Sequence, residues 1–164
     1  LVRVGRNAEV QETPVQKPRT ILRKVTDVTV AKCGGKRTIA ESASVFPAFL
    51  DTGFAKITEN RETPDTKVDV YEMIEDATFA EMFASLGDLN RLVLTQDQVV
   101  EFCTKHRDKL CQEGYGTFFL LKEGEQFFVA RVFDVGLEVR LFGLGRGSVW
   151  DGAYRHRVVV PQLS

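Results

Sequence analysis

The sequence predicts an α+β fold, in which an antiparallel β meander occupies the C-terminal half and two helices pack on it. Three observations lead to this prediction. Residues 117–160 contain short apolar or alternating segments separated by glycine turns, which is typical of antiparallel strands. Two earlier segments, about 77–86 and 96–111, carry apolar residues at helical spacing. With 164 residues, of which 43% are hydrophobic and 27% charged, the chain has the length and composition of one globular domain.

We expect residues 1–18 to form a flexible basic arm in front of a single domain at 19–164. The arm has two prolines within a polar stretch and lacks sustained apolar periodicity. Residues 1–40 contain nine Lys or Arg against three acidic residues, a net charge of +6, whereas residues 41–100 contain four against twelve, a net charge of −8. This asymmetry predicts that the arm contacts something acidic, either nucleic acid or the acidic middle of its own chain.

The first regular element is expected to be a strand within residues 19–31. Val28 and Val30 alternate with polar residues there, as in a strand with one buried face. The sequence CGGK at 33–36 signals a turn. We therefore expect residues 37–40 to return antiparallel to the first strand.

The region that follows contains one ambiguous segment, one loop and one strand. Residues 41–54 include the cluster VFPAFL, which has to bury aromatic rings, yet Pro47 argues against a central strand. Residues 60–66 are polar and are expected to form an exposed loop. Residues 67–74 alternate in polarity and predict a strand.

Each of the two predicted helices has a recognisable start. Asp76 is the expected N-cap of the helix at 77–86, which Gly87 ends. Thr95 is the expected N-cap of the helix at 96–111, and Gln98 completes a capping box with it. One face of this second helix carries Val99, Phe102, Cys103, His106 and Leu110.

The meander is expected to have four strands, at 117–122, 126–133, 137–142 and 157–160. The segments 117–121 and 127–133 are apolar on both faces. Their phenylalanines would suit base stacking with RNA, but two apolar faces favour a sheet that is covered on both sides by helices or by a second subunit. We therefore expect the protein to form a homo-oligomer.

The stretch GLGRGSVWDGAYRHRV at 143–158 combines glycines and arginines with the only tryptophan and one of the two histidines. Gly143, Gly145 and Gly147 follow a predicted strand, as in a loop that holds phosphate through its backbone N–H groups. No supporting helix and no Lys-Ser or Lys-Thr pair follows them, however. We expect the glycines instead to give this β connection positive φ angles.

Six residues of this stretch form the candidate binding site for an anionic ligand or partner: Arg146, Trp150, Tyr154, Arg155, His156 and Arg157. Arginines beside aromatic rings bind phosphates and stack on bases. The like charge of the flanking arginines is expected to favour the neutral form of the histidine. In the alternative interpretation, the tryptophan anchors a structural connection in the core and the arginines pair with the acidic segment 59–81.

The cysteines and histidines give little indication of catalysis. Cys33, Cys103 and Cys111 are odd in number and widely spaced, which predicts reduced thiols. Cys103 and His106 lie on one helix face, but two ligands do not complete a tetrahedral zinc site, so neither a metal nor a cofactor is expected. A cysteine nucleophile with a histidine base would have to pair Cys33 or Cys111 with His156.

No apolar run approaches the ~20 residues that a membrane span needs, so we expect a cytoplasmic protein without membrane contact. We interpret the chain as a non-enzymatic binding or interaction protein that associates with itself. One alternative is a nucleic-acid-binding accessory protein that uses the basic arm and the arginines of 146–157. The other is a small enzyme of unassigned chemistry.

Overall fold

Residues 20–163, the part of the chain that the computed structural model describes, contain a seven-stranded sheet and two α-helices. The strands are β1 (Leu22–Val30), β2 (Phe49–Leu50), β3 (Thr66–Met73), β4 (Gly116–Glu123), β5 (Gln126–Phe133), β6 (Glu138–Gly143) and β7 (Arg157–Pro161), and the helices are α1 (Phe79–Ala84) and α2 (Gln96–Lys105). The α+β class is confirmed, and so is an antiparallel meander of three strands, β4–β5–β6. The prediction of a fourth meander strand at 157–160 is wrong, because β7 runs parallel to β4 and pairs on its other side with β3. The arm predicted at 1–18 lies outside the described residues.

The strand order across the sheet is β1-β3-β7-β4-β5-β6-β2. Neighbouring strands are antiparallel except for two pairs, β7 with β4 and β2 with β6, which are parallel. β7 therefore lies between β3 and β4, although it follows both in sequence. Its hydrogen bonds join the N-terminal pair β1–β3 to the meander.

The predicted return strand at 37–40 is wrong. β1 pairs along its length with β3, and the loop after β1 instead contacts the N-terminal turn of α2. The backbone N–H groups of Gly35 and Lys36 donate to the carboxylate of Asp97 at 2.8 and 3.1 Å, and Arg37 Nε donates to it at 2.6 Å. The buried carboxylate of Asp97 thus accepts three hydrogen bonds and holds this loop against α2.

Helix α1 is shorter than predicted and begins two residues later. Its N-cap is Thr78, which forms a capping box with Glu81, rather than Asp76. The carboxylate of Asp76 accepts a hydrogen bond from the backbone N–H of Gly152 at 2.9 Å. The predicted cap residue therefore fastens the loop before β7 to the start of the helix.

Helix α2 begins as predicted, with Thr95 and Gln98 forming the capping box. It ends at Lys105 rather than at 111, because the imidazole of His106 bonds to the backbone carbonyl of Thr29 at 3.1 Å and a short 3₁₀ turn follows at Arg107–Lys109. None of the helices in the described range has the length and hydropathy needed to cross a bilayer.

The central part of the sheet is buried on both faces by residues of its own chain. The α2 face packs against Val99, Phe102 and Cys103 in one core cluster. The α1 face packs against Phe79 and Met82 in a second cluster. The two apolar faces of β4 and β5 therefore have cover within the chain. Self-association, which was predicted from those faces, stays a prediction.

Candidate ligand site beside the C-terminal arginines

The stretch at 143–158 connects β6 to β7 and is fastened at its middle. Trp150 and Ala77 exchange two backbone hydrogen bonds, of 2.8 and 3.2 Å. A 3₁₀ turn at Gly152–Tyr154 follows, and the side chain of Asp151 caps it. The prediction of positive φ angles at the three glycines of 143–147 is wrong, since none of the three has one. The residue of this stretch with a left-handed backbone is Arg155, at φ 57°.

Trp150 lies within the core cluster of the α1 face. Its ring centroid is 5.1 Å from those of Phe79 and Phe118 and 5.4 Å from that of His156. Its indole Nε1 is buried and has no hydrogen-bond partner within the described chain. The side chain thus joins α1, the sheet and the loop before β7, as a structural anchor does.

His156 is 5% exposed and lies directly behind the surface that carries the tyrosines. Its Nδ1 accepts a hydrogen bond from the backbone N–H of Gly116 at 2.9 Å, so the proton of the neutral ring sits on Nε2. Burial lowers the pKa of His156, and the charge of Arg131 lowers it further. The neutral form expected from the sequence is therefore favoured, but mainly by burial and not by the neighbouring arginines in sequence.

Two tyrosines from distant parts of the chain stack beside this histidine. The rings of Tyr115 and Tyr154 lie 4.6 Å apart and within 7° of parallel. The His156 ring is nearly perpendicular to both, and its centroid lies 5.8 Å from that of Tyr115 and 6.1 Å from that of Tyr154. Tyr154 is 49% exposed, so the pair presents a ring to solvent.

Three arginines surround one carboxylate next to the tyrosine pair. Glu72 on β3, whose side chain is 11% exposed, forms ion pairs with Arg23 at 3.0 Å, Arg155 at 3.5 Å and Arg157 at 3.6 Å. Arg157 also donates to the backbone carbonyl of Lys109 at 2.8 Å. The pairing of these arginines with the segment 59–81, one of the two sequence-based interpretations, thus occurs at Glu72.

A cleft of about 400 Å³ opens between these groups. It is lined by Cys111, Gln112, Glu113, Tyr115, Ala153, Tyr154, Arg155 and Arg157. Its volume lies within the range of small-molecule sites. We call it the tyrosine–arginine cleft.

The structure thus brings together half of the predicted site and separates the rest. Tyr154, Arg155 and Arg157 line the cleft, with His156 behind them. Trp150 belongs to the core. Arg146 lies on another surface, where its guanidinium is 4.8 Å from the ring of Phe142 and its Nε donates to Ser148 Oγ at 3.1 Å.

Sequence reasoning missed three contributors to the site: Arg23, Glu72 and Tyr115. Each comes from an element remote from the stretch 143–158, and only strand pairing brings it there. A correct prediction that β7 lies between β3 and β4 would have pointed to them. That placement pairs Arg157 with Glu72 on one side and with Thr117 on the other.

A second cleft, of about 540 Å³, lies between the loop that follows β1 and the segment that precedes β3. The described residues that line it are Lys32, Cys33, Gly34, Glu62, Thr63 and Pro64. They include one cation, one anion and no aromatic ring. This cleft therefore has greater volume but a weaker means of selecting a ligand than the tyrosine–arginine cleft.

The thiols are not arranged for nucleophilic catalysis. Burial raises the pKa of Cys111 to about 11, and its S–H donates to the backbone carbonyl of Arg155 at 3.3 Å. Burial also raises the pKa of Cys33 and Cys103. Within the described range no cluster of His, Cys, Asp and Glu could hold a metal ion, so Cys103 and His106 form no such site.

No family model matches this chain, and no curated protein and no solved structure is detectably similar to it. Its function is therefore inferred from the geometry of the site.

Proposed function

We propose that this chain is a non-enzymatic binding protein whose tyrosine–arginine cleft holds a ligand with a flat ring and an attached anionic group. One observation carries the proposal: a stacked tyrosine pair and two guanidinium groups line the same cleft. Aromatic rings and arginines together recognise phosphates and bases in many binding sites.

The arginine cluster has donors to spare for an anion. Each guanidinium carries five N–H groups, whereas a carboxylate has two acceptor oxygens. Arg23, Arg155 and Arg157 share the oxygens of Glu72. The lining of the cleft itself carries two positive charges, of Arg155 and Arg157, and one negative charge, of Glu113. A phosphate or carboxylate would take up the remaining donors and the excess positive charge.

The tyrosine pair accounts for the ring. Tyr154 is held from behind by Tyr115 and from the side by His156, so it offers an exposed ring with little freedom to lose. Stacking of a base on such a ring contributes about 1–3 kcal/mol. A nucleoside monophosphate combines both features and is a suitable probe of the cleft.

Binding is favoured over catalysis by the state of the groups that could react. The Cys111 thiol is protonated at neutral pH because burial raises its pKa to about 11. His156 is buried, and its Nδ1 is occupied by the N–H of Gly116. Neither group is free to activate the other, which supports a role in recognition.

Titration calorimetry of the full chain with a nucleoside monophosphate and with inorganic phosphate tests the proposal. We expect saturable binding of the nucleotide and weaker binding of phosphate. Arg155→Gln should weaken both by about tenfold or more, which corresponds to about 1.4 kcal/mol. Tyr154→Leu should weaken the nucleotide alone. Arg91→Gln, at an exposed arginine of the turn Leu89–Arg91, is the matched control. Absence of saturable nucleotide binding to the wild-type chain would refute the proposal.

Self-association, the other part of the sequence-based prediction, is also proposed. β1 is a nine-residue strand at one edge of the sheet, and no strand of the described chain pairs with its outer side. An edge of this length can pair with a second copy. Light scattering at micromolar concentration is expected to show a dimer or a larger species. A monodisperse monomer over that range would remove this proposal and leave the cleft unaffected.

A further inference from the structure

A second surface of the molecule alternates arginines with aromatic rings on the α1 side of β5, β6 and β2. The register of these strands places the residues in two rows. Phe133, Glu138 and Phe49 pair across the three strands, and Arg131 pairs with Arg140 in the next row. We call this surface the arginine–aromatic face, which consists of Phe49, Arg131, Phe133, Arg140, Phe142 and Arg146.

Each arginine of the face lies on a ring. The Cζ atom of Arg131 is 4.0 Å from the ring centroid of Phe133, and that of Arg140 is 4.2 Å from the centroid of Phe49. Arg146 lies 4.8 Å from the ring of Phe142. Rings under guanidinium groups hold the planar cations in fixed positions. The outer sides of Arg140 and Arg146 are available for a further flat group, whereas the side chain of Arg131 is 12% exposed and supports the face from below.

The face is positively charged and partly open to solvent. Glu138 pairs with Arg131 at 3.3 Å and with Arg140 at 2.9 Å, so the three arginines exceed this carboxylate by two charges. Phe49 is 39% exposed, the side chain of Arg140 is 42% exposed, and Arg146 is exposed. Phe49 and Phe133 belong to neither core cluster. These rings therefore serve another purpose than filling the interior.

An independent observation indicates that this region lacks acceptors. Arg131 Nε and Trp150 Nε1 are buried N–H groups without a hydrogen-bond partner in the described chain. The two side chains are neighbours, because Arg131 Cζ is 5.7 Å from the Trp150 ring. Buried donors are almost always satisfied in folded proteins. Both donors lie below the surface, so they add to the positive potential beneath the face and do not themselves contact an occupant.

We propose that the arginine–aromatic face binds single-stranded nucleic acid. Phosphates would pair with the guanidinium groups, and bases would stack on Phe49 and on the outer sides of Arg140 and Arg146. The three strands span about 10 Å across the sheet. A face of this width accommodates a short run of single-stranded nucleotides rather than a duplex. An acidic peptide would satisfy the charges but has no bases for the rings. The proposal does not depend on the ligand of the tyrosine–arginine cleft.

Fluorescence anisotropy of the full chain with a labelled single strand of about ten nucleotides tests this inference. We expect the double variant Phe49→Leu with Arg140→Gln to bind about tenfold more weakly than the wild type. The slope of log affinity against log salt should also become shallower by about one. Arg91→Gln, the matched control, should stay within about twofold of the wild type.

Arg146→Gln provides a second variant that should fold normally, because this exposed side chain lies over the Phe142 ring and donates to Ser148 at the surface. It should weaken binding by about threefold or more. Absence of strand binding, equal binding by the wild type and both variants, or equal affinity for a duplex or a polyglutamate peptide would overturn the inference. So would a loss of strand binding caused by Arg155→Gln alone, since the strand would then occupy the tyrosine–arginine cleft. Nucleotide titration of the double variant separates the two sites, because the cleft should keep its affinity there.

Discussion

The two glycine-rich loops of this chain resemble each other in sequence and differ in what their glycines do. In the loop 33–36, Gly35 has a φ of +76°, and a Cβ there would lie 2.3 Å from the carbonyl carbon of Arg61. Its N–H group and that of Lys36 hold the carboxylate of Asp97. In the loop 143–147, a Cβ at any of the three glycines would meet no other described atom within 4 Å.

The comparison shows that glycine content is a poor indicator of a ligand loop. A backbone cradle for an anion does occur in this chain, but at 33–36, and its anion is a carboxylate of the same chain. The loop 143–147 holds no anion; the backbone N–H of Leu144 donates to the carbonyl of Phe127 at 3.1 Å, and Trp150 fastens the chain further along. What lies opposite a glycine decides its role, and the local sequence does not contain that information.

The largest expected effect is on the tryptophan that holds the 143–158 stretch. Trp150→Ala removes a ring packed against Phe79, Phe118 and His156, so the free energy of unfolding should fall by about 3–5 kcal/mol. Trp150→Phe should lose less than half of that. Urea denaturation measures both. If Trp150→Ala had the same urea-denaturation midpoint as the wild type, the stretch would be held by other contacts.

The next largest effect is expected at the essential glycine of the other loop. Gly35→Ala should destabilise the fold by about 3 kcal/mol, because it combines a left-handed backbone with overlap against the backbone of Arg61. Gly34→Ala is the matched control, since a Cβ there meets nothing within 4 Å. Equal melting of the two variants would contradict the distinction between the adjacent glycines.

A smaller, pH-dependent effect is expected at His156. Burial lowers its pKa below the ordinary 6.5, so the unfolded chain binds the proton more readily than the folded chain. The contribution of the neutral, buried His156 to the free energy of unfolding is complete above pH 6.5. It is lost as the pH falls towards the folded-state pKa, with a slope of at most about 1.4 kcal/mol per pH unit. His156→Gln should flatten this slope. A stability difference between wild type and variant that stays constant from about pH 5 to 8 would speak against it.

The smallest effect is expected in the loop 143–147. Gly145→Ala should change the free energy of unfolding by no more than about 0.5 kcal/mol, because a Cβ has open space there and the φ is not positive. Nucleotide binding should also stay within about twofold of the wild type. A large loss in either measurement would give these glycines a role that the geometry does not explain.

Much of the fold follows from local sequence patterns. Alternating polarity and glycine turns located β4, β5 and β6, and the pair Thr95 and Gln98 fixed the start of α2. The return strand at 37–40 failed because the start of α2, some 60 residues later, binds this segment: Asp97 accepts from the N–H of Gly35, and Gln96 Oε1 accepts from the N–H of Ile39. The end of α2 failed because His106 bonds to Thr29 on β1.

The candidate site was predicted only in part for the same reason. The pattern of arginines and aromatic residues located Tyr154, Arg155 and Arg157, since these are close in sequence. Glu72 and Tyr115 carry no local signal, because their roles arise from the pairing of β7 with β3 and the stacking of two loops. Of the arginine–aromatic face only Arg146 was among the predicted site residues. Phe49 was not recognised, because it belongs to a two-residue strand that no periodicity reveals.

The place of β7 has a consequence for synthesis on the ribosome. Roughly 80 residues separate β3 from β7 in sequence, which at about 5–20 residues per second delays β7 by about 4–16 s. During that time the nascent chain exposes one open edge on β3 and later another on β4, each bearing a row of unpaired backbone groups. Both edges therefore stay open until β7 has been synthesised and pairs with them.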